Sequence, residues 1–125
     1  MSTILRGFTS LQTIPAIRVE GLEIEYKSWK SGKQGFIIDI TDKNFTDFDG
    51  QINDTISFLM TKEKQLTELK NSFPKLFWDI DFGYKTKVST GELAVEGLLL
   101  PVKLISLCAR LKIGLLISLY DANSF

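Results

Sequence analysis

Leu98–Tyr120 reads LLLPVKLISLCARLKIGLLISLY, the most apolar stretch of the 125-residue chain and close in length to a bilayer-spanning helix. Its three cations, Lys103, Arg110 and Lys112, decide against that reading. Each would cost about 2.5–3.5 kcal/mol at the centre of a membrane helix, which cancels most of what the leucines gain. The stretch also changes period partway along. After Pro101, the residues Leu104, Leu107, Cys108 and Leu111 follow the i, i+3, i+4, i+7 rule of an amphipathic helix, with Lys103, Ser106 and Arg110 opposite. From Ile113 the period is two: Ile113, Leu115, Ile117 and Leu119 share one side, Gly114, Leu116, Ser118 and Tyr120 the other. The spacing therefore predicts a helix over Pro101–Leu111 turning directly into a strand over Ile113–Tyr120. Apolar residues on both sides of that strand place it inside the sheet.

Working towards the N-terminus, KLFWDIDFGYKTKV gives the cleanest alternation in the chain. Leu76, Trp78, Ile80, Phe82 and Tyr84 form an inward row, and Phe77, Asp79, Asp81, Gly83 and Lys85 the other. Upstream, Ile52, Ile56, Leu59 and Met60 build a helical stripe behind an Asp-rich start suited to a helix N-terminus. The polar group Thr61–Gln65 interrupts the stripe before Leu66, Leu69 and Phe73 resume it. Two short helices or one bent helix follow, ending before Pro74. Phe36–Ile40 reads as a strand joined through the loop SGKQG to a long strand over Ile17–Lys30, whose phase slip at Gly21 predicts a β-bulge. Ser89–Gly97 is loop or a short edge strand.

The order strand, strand, helix, helix, strand, helix, strand makes the chain α+β. It predicts one compact domain over residues 1–125, with a mixed or antiparallel sheet of four or five strands and two or three short helices packed on it. The close join of the last helix to the last strand keeps a βαβ unit open there.

Fifteen basic residues balance fifteen acidic ones, so no general field attracts nucleic acid or anionic lipid. Neither a nucleic acid nor a membrane is an expected partner. The lone Cys108 has no partner for an internal disulfide, and the N-terminus lacks the pattern of a signal peptide, so the cytoplasm is the expected compartment. There is no histidine, which removes the commonest general base and the usual catalytic triads and imidazole metal sites. Neither G-x-x-x-x-G-K-[ST] nor G-x-G-x-x-G occurs. No cofactor and no metal are expected. Cys108 lies on the apolar helical stripe and reads as a core residue.

Asp79 and Asp81, two apart on one strand face, could share a cation or act as an acid and base pair, but they also read as a solvated polar row. Asp47, Asp49, Asn53 and Asp54 superficially match a calcium loop, but the fragment Asp47–Gly50 has its glycine two places too early and lacks the rest of the pattern, and helix capping is the better use of this group. Lys27, Lys30 and Lys33 surround Trp29 near the hairpin tip, a small basic and aromatic group that could bind a single strand or simply solubilise a loop. Between Asp39 and Asp54 five aspartates meet one base, Lys43. Such an acidic surface could cover a cationic site on another protein.

The segments TISFL, ELKNSFPKLFWDIDF and LPVKLISLCARLKIGLLISLY together resemble small bacterial immunity proteins that accompany contact-dependent growth inhibition and other polymorphic toxins. The resemblance spans Thr55–Tyr120, about half of the chain, and lies in the pattern of elements. It implies a non-enzymatic cytoplasmic inhibitor bound to one toxin domain, often a nuclease, and it transfers no contact residue. Asp47, Asp49, Asp54, Asp79 and Asp81 are the candidate contact residues on charge grounds. The alternatives are a structural module that self-associates, as a homodimer, through the aliphatic final strand, and a carboxylate hydrolase built on Asp79 and Asp81.

Overall fold

A computed structural model describes residues 1–9, 16–73, 75–88 and 90–121. The chain is α+β, with one mixed five-stranded sheet and two helices on it. The elements are β1 (Thr3–Thr9), β2 (Glu25–Ser28), β3 (Gln34–Thr41), α1 (Phe48–Asn71), β4 (Leu76–Thr86), α2 (Val102–Leu111) and β5 (Gly114–Asp121). The strand order is β2-β3-β1-β4-β5, antiparallel throughout except for the parallel β4–β5 pair. The βαβ reading of the last unit is therefore the one the chain adopts, with α2 as its crossover helix.

The centre of the sheet is β1, a segment the sequence pattern does not mark as a strand. Its inward row is Thr3, Leu5, Gly7 and Thr9, of which only Leu5 is a large apolar residue. Tertiary contacts supply the rest. The ring of Phe36 lies so close over Gly7 that a Cβ there would sit 2.3 Å from it. The Thr3 hydroxyl donates to Gln51 Oε1 at 2.7 Å, and Gln51 Nε2 donates to the Gly83 carbonyl at 2.9 Å, so a buried amide ties α1 to both central strands. Every one of these polar groups is buried and partnered, the condition under which burial does not destabilise.

One expectation near the N-terminus is corrected, and one in the middle of the chain is narrowed. The long strand over Ile17–Lys30 is reduced to Glu25–Ser28; ahead of it the backbone turns at Glu20–Gly21 with Gly21 at φ +90°. Gly21 thus provides a left-handed turn rather than a bulge, and Ile17, Leu22 and Ile24 reach the core from irregular backbone. The hairpin to β3 is present, closed by the Trp29 N–H donating to the Lys33 carbonyl at 2.8 Å. Of the two readings of the stripe from Ile52 to Phe73, two short helices or one bent one, the chain adopts a single helix, continuous over 24 residues. Leu59 and Leu66 are separated by seven positions, so the stripe keeps phase across the polar group. Those polar residues serve neighbours instead: Lys62 and Gln65 border Gly21, and Glu63 pairs with Arg110 of α2 at 3.1 Å. Asp47 caps the helix through its carboxylate, which accepts from the Gly50 N–H at 2.9 Å. The helix ends at Asn71, ahead of Pro74, which lies outside the described residues.

The inward row of β4 is as expected, with Trp78, Ile80, Phe82 and Tyr84 all buried. So is the stripe of α2: Leu104, Leu107, Cys108 and Leu111 are buried, and burial pushes the Cys108 thiol up to about 11. Lys112 alone, in the left-handed conformation at φ 54°, turns the chain from helix into strand. Trp78 Nε1 and Lys70 Nζ both donate to the Leu111 carbonyl, at 3.0 and 3.2 Å, and so satisfy the end of α2. The position of β5 is a correction: it forms an edge of the sheet and not its interior. Its apolar inner row, Leu115 and Ile117, packs on the core, but Leu116 and Leu119 remain exposed. Ser89 is outside the described residues, and the rest of the segment to Gly97 carries no strand.

Candidate docking face of the sheet

Both helices lie on the side of Leu5, Ile38, Ile80 and Phe82, so among the described residues the opposite side of the strands carries no helix. Alternation along each strand places Ile4, Arg6 and Phe8 of β1 there, with Ile37 and Asp39 of β3, Phe77, Asp79 and Asp81 of β4, and Leu116 and Ser118 of β5. The centre of this face is a charged cluster. Arg6 grips Asp79 with two bonds, Nε to Oδ1 at 3.0 Å and a terminal nitrogen to Oδ2 at 3.2 Å, and its other terminal nitrogen lies 3.7 Å from Asp81. The Ser118 hydroxyl donates to the other oxygen of Asp81 at 2.6 Å. The Asp79 hydrogen bond, followed by the field of both carboxylates and opposed by partial burial, raises the Arg6 guanidinium above its already high ordinary value. The two aspartates therefore share one face, as their spacing predicts, and both lie against one arginine. Among the described residues, no three acidic or cysteine side chains are grouped to hold a metal ion.

Aromatic rings flank this centre at both ends. At one end Phe8 stacks at a tilt on Trp29, ring centroids 4.9 Å apart, with Arg6 and Lys33 each over the Phe8 ring. Phe77, directly opposite Phe8 in the β1–β4 register, is 70% exposed. The basic and aromatic group around Trp29 is thus part of the sheet face, anchored by Phe8. At the other end Phe45 covers Gly83 and meets Tyr120 edge to face at 5.8 Å.

The other three candidate acids lie elsewhere. Asp47 and Asp49 are exposed at the start of α1, on the helical side of the sheet, and Asp54 is half-buried and accepts from the Thr41 hydroxyl at 2.7 Å. The five aspartates form two separate groups and not one continuous patch. Sequence reasoning missed Arg6, which is 73 positions from Asp79 and carries no local signal. It did contain the exposure of Phe77, through its parity opposite Trp78.

A further polar clasp lies below the sheet. The Tyr84 hydroxyl donates to Glu96, whose other carboxylate oxygen accepts from the Thr86 hydroxyl at 3.1 Å and the Lys87 N–H at 3.0 Å. This clasp holds the long connection between β4 and α2 against the sheet. No described helix is long and apolar enough to cross a membrane. Compared with known proteins, the chain matches no family model, no curated protein and no solved structure.

Proposed function

We propose that this chain is a non-enzymatic protein-binding domain that docks the helix-free face of its sheet on another protein. Following the resemblance in its second half, that partner is a bacterial toxin domain which it neutralises in the cytoplasm. The observation that carries the reading is Phe77: a large aromatic ring left 70% exposed on a strand, beside a half-buried ion cluster already organised for contact. Exposed aromatics next to fixed charge are the composition of binding hot spots. Arg6, Asp79 and Asp81 have limited freedom left to lose on docking, which lowers the entropic cost of association. Asp47 and Asp49, exposed off this face at the start of α1, would contribute long-range steering towards a basic partner.

The test is calorimetry with the purified product of the gene adjacent to that of this chain, expected to give nanomolar affinity. Phe77→Ala is expected to weaken binding about 30-fold or more, the size of a hot-spot loss. Tight binding that Phe77→Ala leaves unchanged would move the interface off this face, and no binding at all would remove the inhibitor reading.

A further inference from the structure

We infer that the aromatic end of the open face is also a binding site for a single-stranded nucleic acid, with lysines at both ends of a row of rings holding its phosphates and the rings stacking its bases. The row runs across the strands. Lys27 of β2 is opposite Gly35 of β3, Gly35 is opposite Phe8 of β1, and Phe8 is opposite Phe77 of β4; residues directly across a ladder share a face. Gly35 has no side chain to fill its place in that row, and the Trp29 ring takes it: a Cβ on Gly35 would sit 3.0 Å from the indole. Trp29, Phe8 and Phe77 are thus neighbouring rings on one face. Phe8, covered by Trp29, Arg6 and Lys33, fixes this platform. The exposed Phe77 and the half-buried Trp29 are left to meet a base.

Lysines stand at both ends of the row. Lys30 and Lys33 belong to the hairpin tip beside Trp29, and Lys75 and Lys112 line one concavity with Phe77. All four are exposed, and none has a carboxylate partner among the described residues. The next open-face positions along β2 and β4 are carboxylates, Glu25 and Asp79, but these are already paired with Lys27 and Arg6. This end of the face is therefore positive although the chain as a whole is neutral, and a local patch attracts phosphate where the total charge does not.

The rings decide the class of ligand. An acidic protein segment would engage the lysines but offer the rings no flat partner, and in a duplex the bases are stacked inside, out of reach of Phe77. Rings that take a base and lysines that follow the backbone are the two components of sequence-tolerant single-strand sites. Three strand spacings separate β2 from β4, about 14 Å, which is room for about four stacked nucleotides.

Fluorescence anisotropy of a labelled oligothymidylate of about ten residues, titrated with the full chain at about 50 mM salt, reads this site. The expected outcome is micromolar binding that falls steeply with salt, four lysine contacts giving a slope of about −3 in log affinity against log salt. Phe77→Ala, at an exposed position, should weaken binding about tenfold, the loss of one stacked base. Lys33→Glu and Lys75→Glu, at opposite ends of the row, should each weaken it and lower the slope by about 0.7 or more. No binding up to about 100 µM chain would overturn the inference. So would a duplex bound as tightly as the single strand, or binding indifferent to Phe77→Ala and to both lysine changes. The titration needs no protein partner, so its failure leaves the docking reading untouched, and failure of that reading leaves this site untouched. Both uses engage Phe77, so a bound protein and a bound strand exclude each other there.

Discussion

On the helical side of the sheet Leu5, Ile80 and Phe82 have no exposure at all, whereas on the other side, along the same strands, Phe77 is 70% exposed and the central positions are ionic. Strand geometry forces this contrast: neighbouring residues point to opposite sides, so one set of strands must satisfy two environments. The helical side is close-packed, where every methylene contributes. The open side is held by directional bonds between Arg6, Asp79, Asp81 and Ser118, which fix side chains without contributing much burial. Stability is thus concentrated on one side of the sheet.

The sharpest way to break this contrast is to truncate one residue on each side of β4. Ile80→Ala should cost about 3–4 kcal/mol, because a fully buried branched side chain leaves a cavity that its neighbours cannot close. Phe77→Ala, three positions earlier on the same strand, should change stability by about 0.5 kcal/mol or less. Urea unfolding of both variants measures the difference. Equal losses would mean that the open side is covered in solution, and that its exposed aromatics are part of a core.

The ion cluster sharpens the contrast at an intermediate scale. Its side chains are 25%, 29% and 15% exposed for Arg6, Asp79 and Asp81, between the surface and the interior. Exposed pairs contribute about 0–1 kcal/mol and breaking buried ones costs about 3–5. Arg6→Ala should therefore cost about 1–2 kcal/mol, since it leaves two carboxylates side by side without their cation. Added salt should narrow the gap from the unaltered chain. A loss as large as that for Ile80→Ala would place this cluster among the determinants of the fold rather than of the surface.

Where the sequence was legible, the period of one element was enough. The row from Leu76 to Tyr84 and the change of period after Leu111 each depend on spacing within ten residues or so, and both elements stand where they were expected. Strand β1 fails that condition. Its inward Thr3 and Gly7 are intelligible only once Gln51 and Phe36 are in place, 48 and 29 positions away. The edge position of β5 fails it for another reason. Two-sided apolarity does not distinguish a buried strand from an edge waiting for another chain, and strand order is settled by which neighbour β4 takes on its other side, namely β1. The same limit applies to the candidate site. Asp79 and Asp81 share a face by simple alternation, but the arginine that binds them comes from the far end of the chain.

The smallest expected effect concerns pH and tests whether the connection clasped by Tyr84 and Glu96 belongs with the rigid side of the molecule. The Tyr84 hydroxyl, bonded to Glu96 and buried, is pushed up from its ordinary 10 to about 12. The same bond, followed by the Lys87 N–H, lowers the Glu96 carboxyl. The signs differ. Tyr84 contributes stability that is fully present below its unfolded value and is lost as pH rises through about 12, because over that window the unfolded chain has already released the proton. Glu96 contributes stability present above its unfolded value and lost as pH falls through its lower folded value. Tyr84→Phe should therefore flatten the alkaline decline in the urea midpoint and soften the acid one, with a modest loss between them. Some alkaline decline should persist from Tyr26, whose hydroxyl is also raised, by burial, while it donates to the Ile17 carbonyl. Unchanged slopes in Tyr84→Phe at both ends of the pH range would show that the connection between β4 and α2 is held by Leu98 and Leu100 against the core, and not by the clasp.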